Sequence, residues 1–137
     1  MTHGWTTREQ SRKLIELGID ARTADMYYSW IGTTYYPHAE SYKEKIAWRK
    51  YYAKTHNNTS CCTSILPCWS LTALLELMPN SIGDSNKNIC WFDNAFWCAY
   101  MDEDSCMHDG TSADNPLDAA FNMVVWLIEQ KHIKVKK

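Results

Sequence analysis

Residues 115–130 read NPLDAAFNMVVWLIEQ, and this stretch decides the kind of fold. Asn115 is a preferred N-cap, and Pro116 falls at the first helical position, where its missing N–H costs nothing. Leu117, Ala120, Phe121, Val124, Val125, Leu127 and Ile128 form a broad apolar stripe, widened by Met123 and Trp126. Asp118, Asn122, Glu129 and Gln130 are the polar residues. A helix this apolar must be surrounded by other elements of its own chain or by a second subunit. The Lys-rich end from Lys131 to Lys137 complements the negative end of the helix dipole, and Ile133 and Val135 suit a short added strand.

Upstream of this helix, Ile89-Cys90-Trp91-Phe92 and Phe96-Trp97-Cys98-Ala99-Tyr100 flank Asp93-Asn94-Ala95. Aromatic, β-favouring runs around an Asp-Asn turn predict a hairpin. Ser81 to Asn88 and the acidic stretch Asp102 to Asp114 read as loops. Ser70 is a good N-cap for a helix whose buried face is Leu71, Leu74, Leu75 and Met78, stopped by Pro79 and Asn80. Helices beside a small antiparallel unit, with no repeat and no linker, predict an α+β fold: one domain over residues 1–137, several helices packed around a short β-hairpin or small sheet.

Thr7-Arg8-Glu9-Gln10 has capping-box form, Leu14, Ile15 and Leu17 make an apolar stripe, and Gly18 stands where a left-handed C-terminal residue is wanted. The spacing of Met26, Tyr27 and Trp30 after Asp20 predicts a second short helix from Ala21 to Trp30. Trp48, Tyr51 and Tyr52 suit a helix face or an aromatic-rich strand; a third helix from His38 to Lys54 is the expectation, since Glu40, Lys43, Glu44 and Lys45 favour it, followed by a polar loop from Thr55 to Ser64.

The chain has 137 residues with 45% hydrophobic and 22% charged content, which excludes a disordered or low-complexity polypeptide. No apolar run approaches the ~18–20 residues needed to cross a bilayer. Met1 to Arg8 lacks the apolar stretch of a signal peptide, so a cytoplasmic place and reduced thiols are expected. The net charge of −2 steers the chain toward neither nucleic acid nor membrane. Seven Trp, eight Tyr and three Phe exceed what a small core requires, so some rings should reach the surface.

No complete catalytic or metal-binding set is legible. The glycines stand far apart, which excludes a P-loop or dinucleotide fingerprint. The spacings Cys62-x5-Cys68, Cys90-x7-Cys98 and Cys98-x7-Cys106 are not zinc-knuckle spacings. Counted from Asp102, the acidic stretch places Cys106 and Met107 where an EF-hand loop wants an acid and a glycine. Cys106 with His108 lacks a third orienting group. No catalytic residue, metal or cofactor is therefore expected. Charge is uneven, however. Residues 43–54 hold Lys43, Lys45, Arg49, Lys50 and Lys54 against Glu44, interleaved with Trp48, Tyr51 and Tyr52, whereas residues 84–118 hold eight acids against Lys87. Trp48, Arg49, Lys50, Tyr51 and Tyr52 are the candidate ligand- or partner-binding residues, since basic and aromatic side chains together can hold phosphate while stacking a base.

Three stretches carry a resemblance. They are Glu9 to Gly18 with Thr23 to Tyr27, Pro67 to Leu71 with Leu74 to Pro79, and Pro116 to Leu127. Together they resemble a set of uncharacterised small proteins of gut bacteria and their prophages. The resemblance implies a phage or mobile-element origin and cytoplasmic action, and carries over no catalytic residue. The combined expectation is a non-enzymatic accessory protein that engages a protein partner through exposed aromatic residues, with homodimerisation through the last helix as one version. The alternative is a nucleotide or single-stranded nucleic-acid binder that uses the basic aromatic segment 43–54.

Overall fold

The first helix starts where its own side chains close the capping box. In α1 (Arg8–Glu16) the Gln10 N–H donates to Thr7 Oγ1 at 3.1 Å and the Thr7 N–H donates to Gln10 Oε1 at 2.9 Å. The helix ends as the glycine requires: Gly18 takes φ 98°, Gly18 N–H reaches the Ile15 carbonyl and Ile19 N–H the Leu14 carbonyl, both at 3.0 Å. This geometry comes from a computed structural model, which describes residues 4–31, 34–38, 42–43 and 65–135.

The expected helix from Ala21 to Trp30 is not formed. Asp20 does cap, but only a 3-10 turn over Ala21–Thr23, after which Met26–Ile31 is strand β1. Tyr27, Tyr28 and Ser29 are all buried in succession. A central strand covered on both faces shows no alternation, and helical spacing can then arise by accident. β1 lies between β2 (Thr34–His38) and β3 (Ile65–Cys68), antiparallel to both, with Trp30 opposite Tyr35 and Met26 opposite Cys68. His38 thus ends a strand rather than opening a helix. Tyr42 and Lys43 are helical, and the rest of the expected helix to Lys54 lies outside the described residues.

β3 leads directly into α2 (Leu71–Leu77). Ser70 caps it, its hydroxyl accepting from Ala73 N–H at 3.2 Å and donating to Asp25. The segment before α1 runs beside the end of β3: Thr6 N–H donates to the Trp69 carbonyl at 2.8 Å, and Trp69 N–H donates to Thr6 Oγ1 at 3.0 Å.

The second sheet is an antiparallel meander of β4 (Ser81–Ile82), β5 (Ser85–Phe92), β6 (Ala95–Met101) and β7 (Met107–Ala113). Two expected loops are thereby corrected. The turn at Gly83, φ 58°, makes a hairpin of 81–88, and most of 102–114 is an edge strand whose polar residues alternate with half-buried ones. Such a strand has weak propensity of its own, and β6 supplies its hydrogen bonds. α3 (Pro116–Glu129) packs against β6, β7 and α2. Met123, Val124 and Leu127 of α3 join Leu14, Trp69, Leu74 and Tyr100 in one fully buried core. Ile133 and Val135 also pack on that core, but not as a strand. The chain is a small α+β domain, with three α-helices and two antiparallel sheets among the described residues.

Candidate functional site

Among the described residues, the largely exposed aromatic rings, Trp91 and Phe92, lie on the β5–β6 hairpin. Its two turn residues, Asp93 and Asn94, have φ 52° and 60°, and Phe92 faces Ala95 across them. Two consecutive left-handed residues give the turn whose twist matches the strands it joins. Alternation then sends neighbouring side chains to opposite faces. Ile89, Trp91, Phe96, Cys98 and Tyr100 share the inner face toward α3. Cys90, Phe92, Trp97, Ala99 and Met101 share the outer face.

The inner face is well covered at its centre and open at its tip. Cys98 and Tyr100 are fully buried, and the Tyr100 hydroxyl donates to the Pro79 carbonyl at 2.6 Å. Burial pushes both groups up to about 12. Trp91, in contrast, is 59% exposed, and it packs edge-to-face on Phe96, 4.7 Å between ring centroids. On the outer face Phe92 is 62% exposed, and the Trp97 indole N–H donates to the Phe92 carbonyl at 3.1 Å. That bond fixes the Trp97 ring beside Phe92. Met107 lies over Gly110 and Ala99 on the same face: a Cβ added at Gly110 would stand 2.8 Å from Met107 Sδ. The hairpin therefore presents two largely exposed rings, one on each face, backed by two half-buried ones.

Part of the backbone at this end also faces away from β6. Because Phe92 and Ala95 close a two-residue turn, the N–H and C=O groups of Asn86, Asn88, Cys90 and Phe92 face β6, and those of Ser85, Lys87, Ile89 and Trp91 face the other way. β4 covers only the start of that edge. Ile82 pairs with Ser85, and Lys87 N–H donates to the Asn80 carbonyl at 3.1 Å. No strand among the described residues pairs with the edge from Asn88 to Phe92.

Elsewhere several polar groups of the described residues are used by the fold. Lys87 Nζ donates to the carbonyls of Leu75 at 2.7 Å and Met78 at 3.3 Å, closing the end of α2. His108 Nε2 lies 2.7 Å from Asp102 Oδ2, and Asp102 Oδ1 accepts from the N–H groups of Asp104 and Cys106. The His108 hydrogen bond, more than the backbone ones, lowers the Asp102 carboxyl below its ordinary range. Among the described residues, no three His, Cys, Asp or Glu side chains converge as a metal-binding group. A cleft of about 570 Å³ between the ends of α1 and α2 and the chain after α3 is lined by Ile19, Asp20, Glu76, Pro79, His132 and Lys134. Asp20 is held there by Arg22, with Nη2 to Oδ2 at 2.7 Å, and His132 stacks on Trp126.

The candidate residues Trp48, Arg49, Lys50, Tyr51 and Tyr52 lie outside the described residues; of the basic stretch, Lys43 is described and is exposed. Sequence reasoning did not single out Trp91 and Phe92. The signal was present in their adjacency. Two neighbouring aromatics on one strand cannot both face the core, so at least one needs another cover. No family model, curated protein or solved structure matches the chain.

Proposed function

We propose that the chain is a non-enzymatic accessory binding protein that engages another protein through the aromatic end of the β5–β6 hairpin. The observation that supports this is the exposure of Trp91 and Phe92, at 59% and 62%, on adjacent positions of one strand. Covering about 100 Å² more of each ring would return on the order of 2–3 kcal/mol per ring. Rigid aromatic anchors of this kind supply most of the energy in many interfaces. Asp93 and Asn94 hold the strands in register beneath them, so little ordering is needed on binding. The resemblance to prophage proteins fits a cytoplasmic role in which such a surface modulates a host component.

The rival reading, a nucleotide or single-stranded nucleic-acid binder, rests on segment 43–54. The hairpin does not favour it. The turn carries Asp93, and Lys87, the base on β5, is tied to two carbonyls.

The test is capture of host proteins by the wild-type chain, by Trp91→Ser and Phe92→Ser, and by Ile15→Ser as a control at a separate exposed apolar residue. A partner retained by the wild type and the Ile15 variant, and lost at least tenfold by both hairpin variants, is expected. Equal retention by all four chains overturns the reading.

A further inference from the structure

We infer that the occupant of the open β5 edge is the same edge of a second copy of this chain, paired antiparallel about Cys90. The inference rests on the reading of the hairpin as a docking surface and names what docks there.

The edge from Asn88 to Phe92 directs the N–H and C=O groups of Ile89 and Trp91 outward. Such groups are a template for another strand, and proteins usually blunt them with lysine, proline, an acid or a bulge. The other exposed edge of this sheet is blunted. β7 carries His108 and Asp109, and its register shifts at Tyr100 and Met101. β4 shields the first half of β5. Asn88-Ile89-Cys90-Trp91-Phe92 contains none of these devices.

The segment is complementary to itself in one register. With Cys90 on the two-fold axis, Ile89 of each copy is level with Trp91 of the other, and these pairs exchange the outward hydrogen bonds. Both side chains of each pair lie on the inner face, so the exposed indole covers the half-buried Ile89 of the second copy. Asn88 is level with Phe92 of the second copy on the outer face. Pairing ends at Asn88 and Phe92, because Asn80 already accepts the Lys87 N–H on that edge. The two Cys90 residues form a non-hydrogen-bonded pair, whose Cα atoms in such ladders lie about 4.5 Å apart.

Sedimentation equilibrium of the full chain, from micromolar to submillimolar concentration, should give a limiting mass twice the 15.9 kDa of one chain. A short bifunctional maleimide should capture the dimer in the wild type and in Cys106→Ser, and fail in Cys90→Ser. Trp91→Lys, and independently Cys90→Lys, which places two ammonium groups at the axis, should weaken dimerisation at least tenfold while the far-ultraviolet circular dichroism stays unchanged. A single-chain mass at every concentration overturns the inference. So does a dimer that survives both lysine variants, or a crosslink that persists without Cys90. A monomeric chain whose captured partner still depends on Trp91 and Phe92 refutes the second copy as occupant and leaves the docking surface standing. A dimer with no hairpin-dependent capture of a host protein overturns the engagement of a host component and leaves the second copy as the occupant.

Discussion

Gln10 and Asp118, far apart in sequence, join the first turns of the first and last helices: Gln10 Nε2 donates to Asp118 Oδ1 at 2.7 Å. Both residues already cap their own helices. Gln10 Oε1 accepts from Thr7 N–H, while Asp118 N–H donates to Asn115 Oδ1 and Asp118 Oδ2 accepts from Asn115 Nδ2. One amide thus closes a local cap and fastens α1 to α3. Gln10→Glu would keep the local cap but remove the donor and set two carboxylates together. It should cost about 1–2 kcal/mol in urea denaturation at neutral pH. Each carboxyl of that pair would have a raised folded pKa, so the deficit should be full at neutral pH and shrink as pH falls through about 4. A deficit that does not change with pH would show that the charges do not meet.

Lys131 ends α3 with φ 64°, its N–H on the Ile128 carbonyl and the His132 N–H on the Leu127 carbonyl at 2.8 Å. This is the same termination that Gly18 gives α1, but with a side chain in the left-handed region. Lys131→Gly should therefore stabilise the chain by about 0.5–1 kcal/mol, read as a higher urea midpoint with an unchanged slope. A lower midpoint would mean that the charge at the helix end outweighs the backbone strain.

Thiol reactivity should follow burial. Cys68 and Cys98 are fully buried, and burial pushes both up to about 12, whereas Cys106 is exposed and Cys90 half-buried. Among these four, iodoacetamide at pH 8 should modify Cys106 first, with Cys68 and Cys98 modified only on unfolding. Peptide mass spectrometry at timed quenches reads the order. Early modification of Cys98 would contradict the packing of β6 against α3.

Asp102 titrates below the ordinary carboxyl value of 3.8, chiefly because His108 hydrogen-bonds its charged form. Its folded pKa is depressed, so its contribution to stability is present above about 3.8 and is lost as pH falls through the folded value. His108→Ala should raise the Asp102 midpoint toward 3.8, measured by carboxyl NMR titration. An unmoved midpoint would assign the shift to the backbone N–H groups of Cys106 and Asp104 instead.

The helix ends were legible wherever one residue type answers one local need. Thr7, Ser70 and Asn115 cap as their side chains predict, and Gly18 ends α1. The Asp93-Asn94 turn was legible for the same reason. Residues 26–31 were misread because burial on both sides of β1 hides the period of a strand. Residues 107–113 were misread because Met107-His108-Asp109-Gly110 carries no strand signal, and the hydrogen bonds that define β7 belong equally to β6. The candidate site divides in the same way. A surplus of aromatic rings pointed to surface exposure, but the count does not say which rings are left outside.

By itself the sequence determined the caps, the hairpin turn and the apolar stripe of the last helix, because each is satisfied by groups within a few residues along the chain. The tertiary structure alone decided that β1 is a central strand, paired with β3 from Met26 to Cys68, and that Trp91 and Phe92 stand out from a half-covered edge. A strand completes its hydrogen bonds with distant residues, and a side chain's exposure depends on what the rest of the fold brings against it.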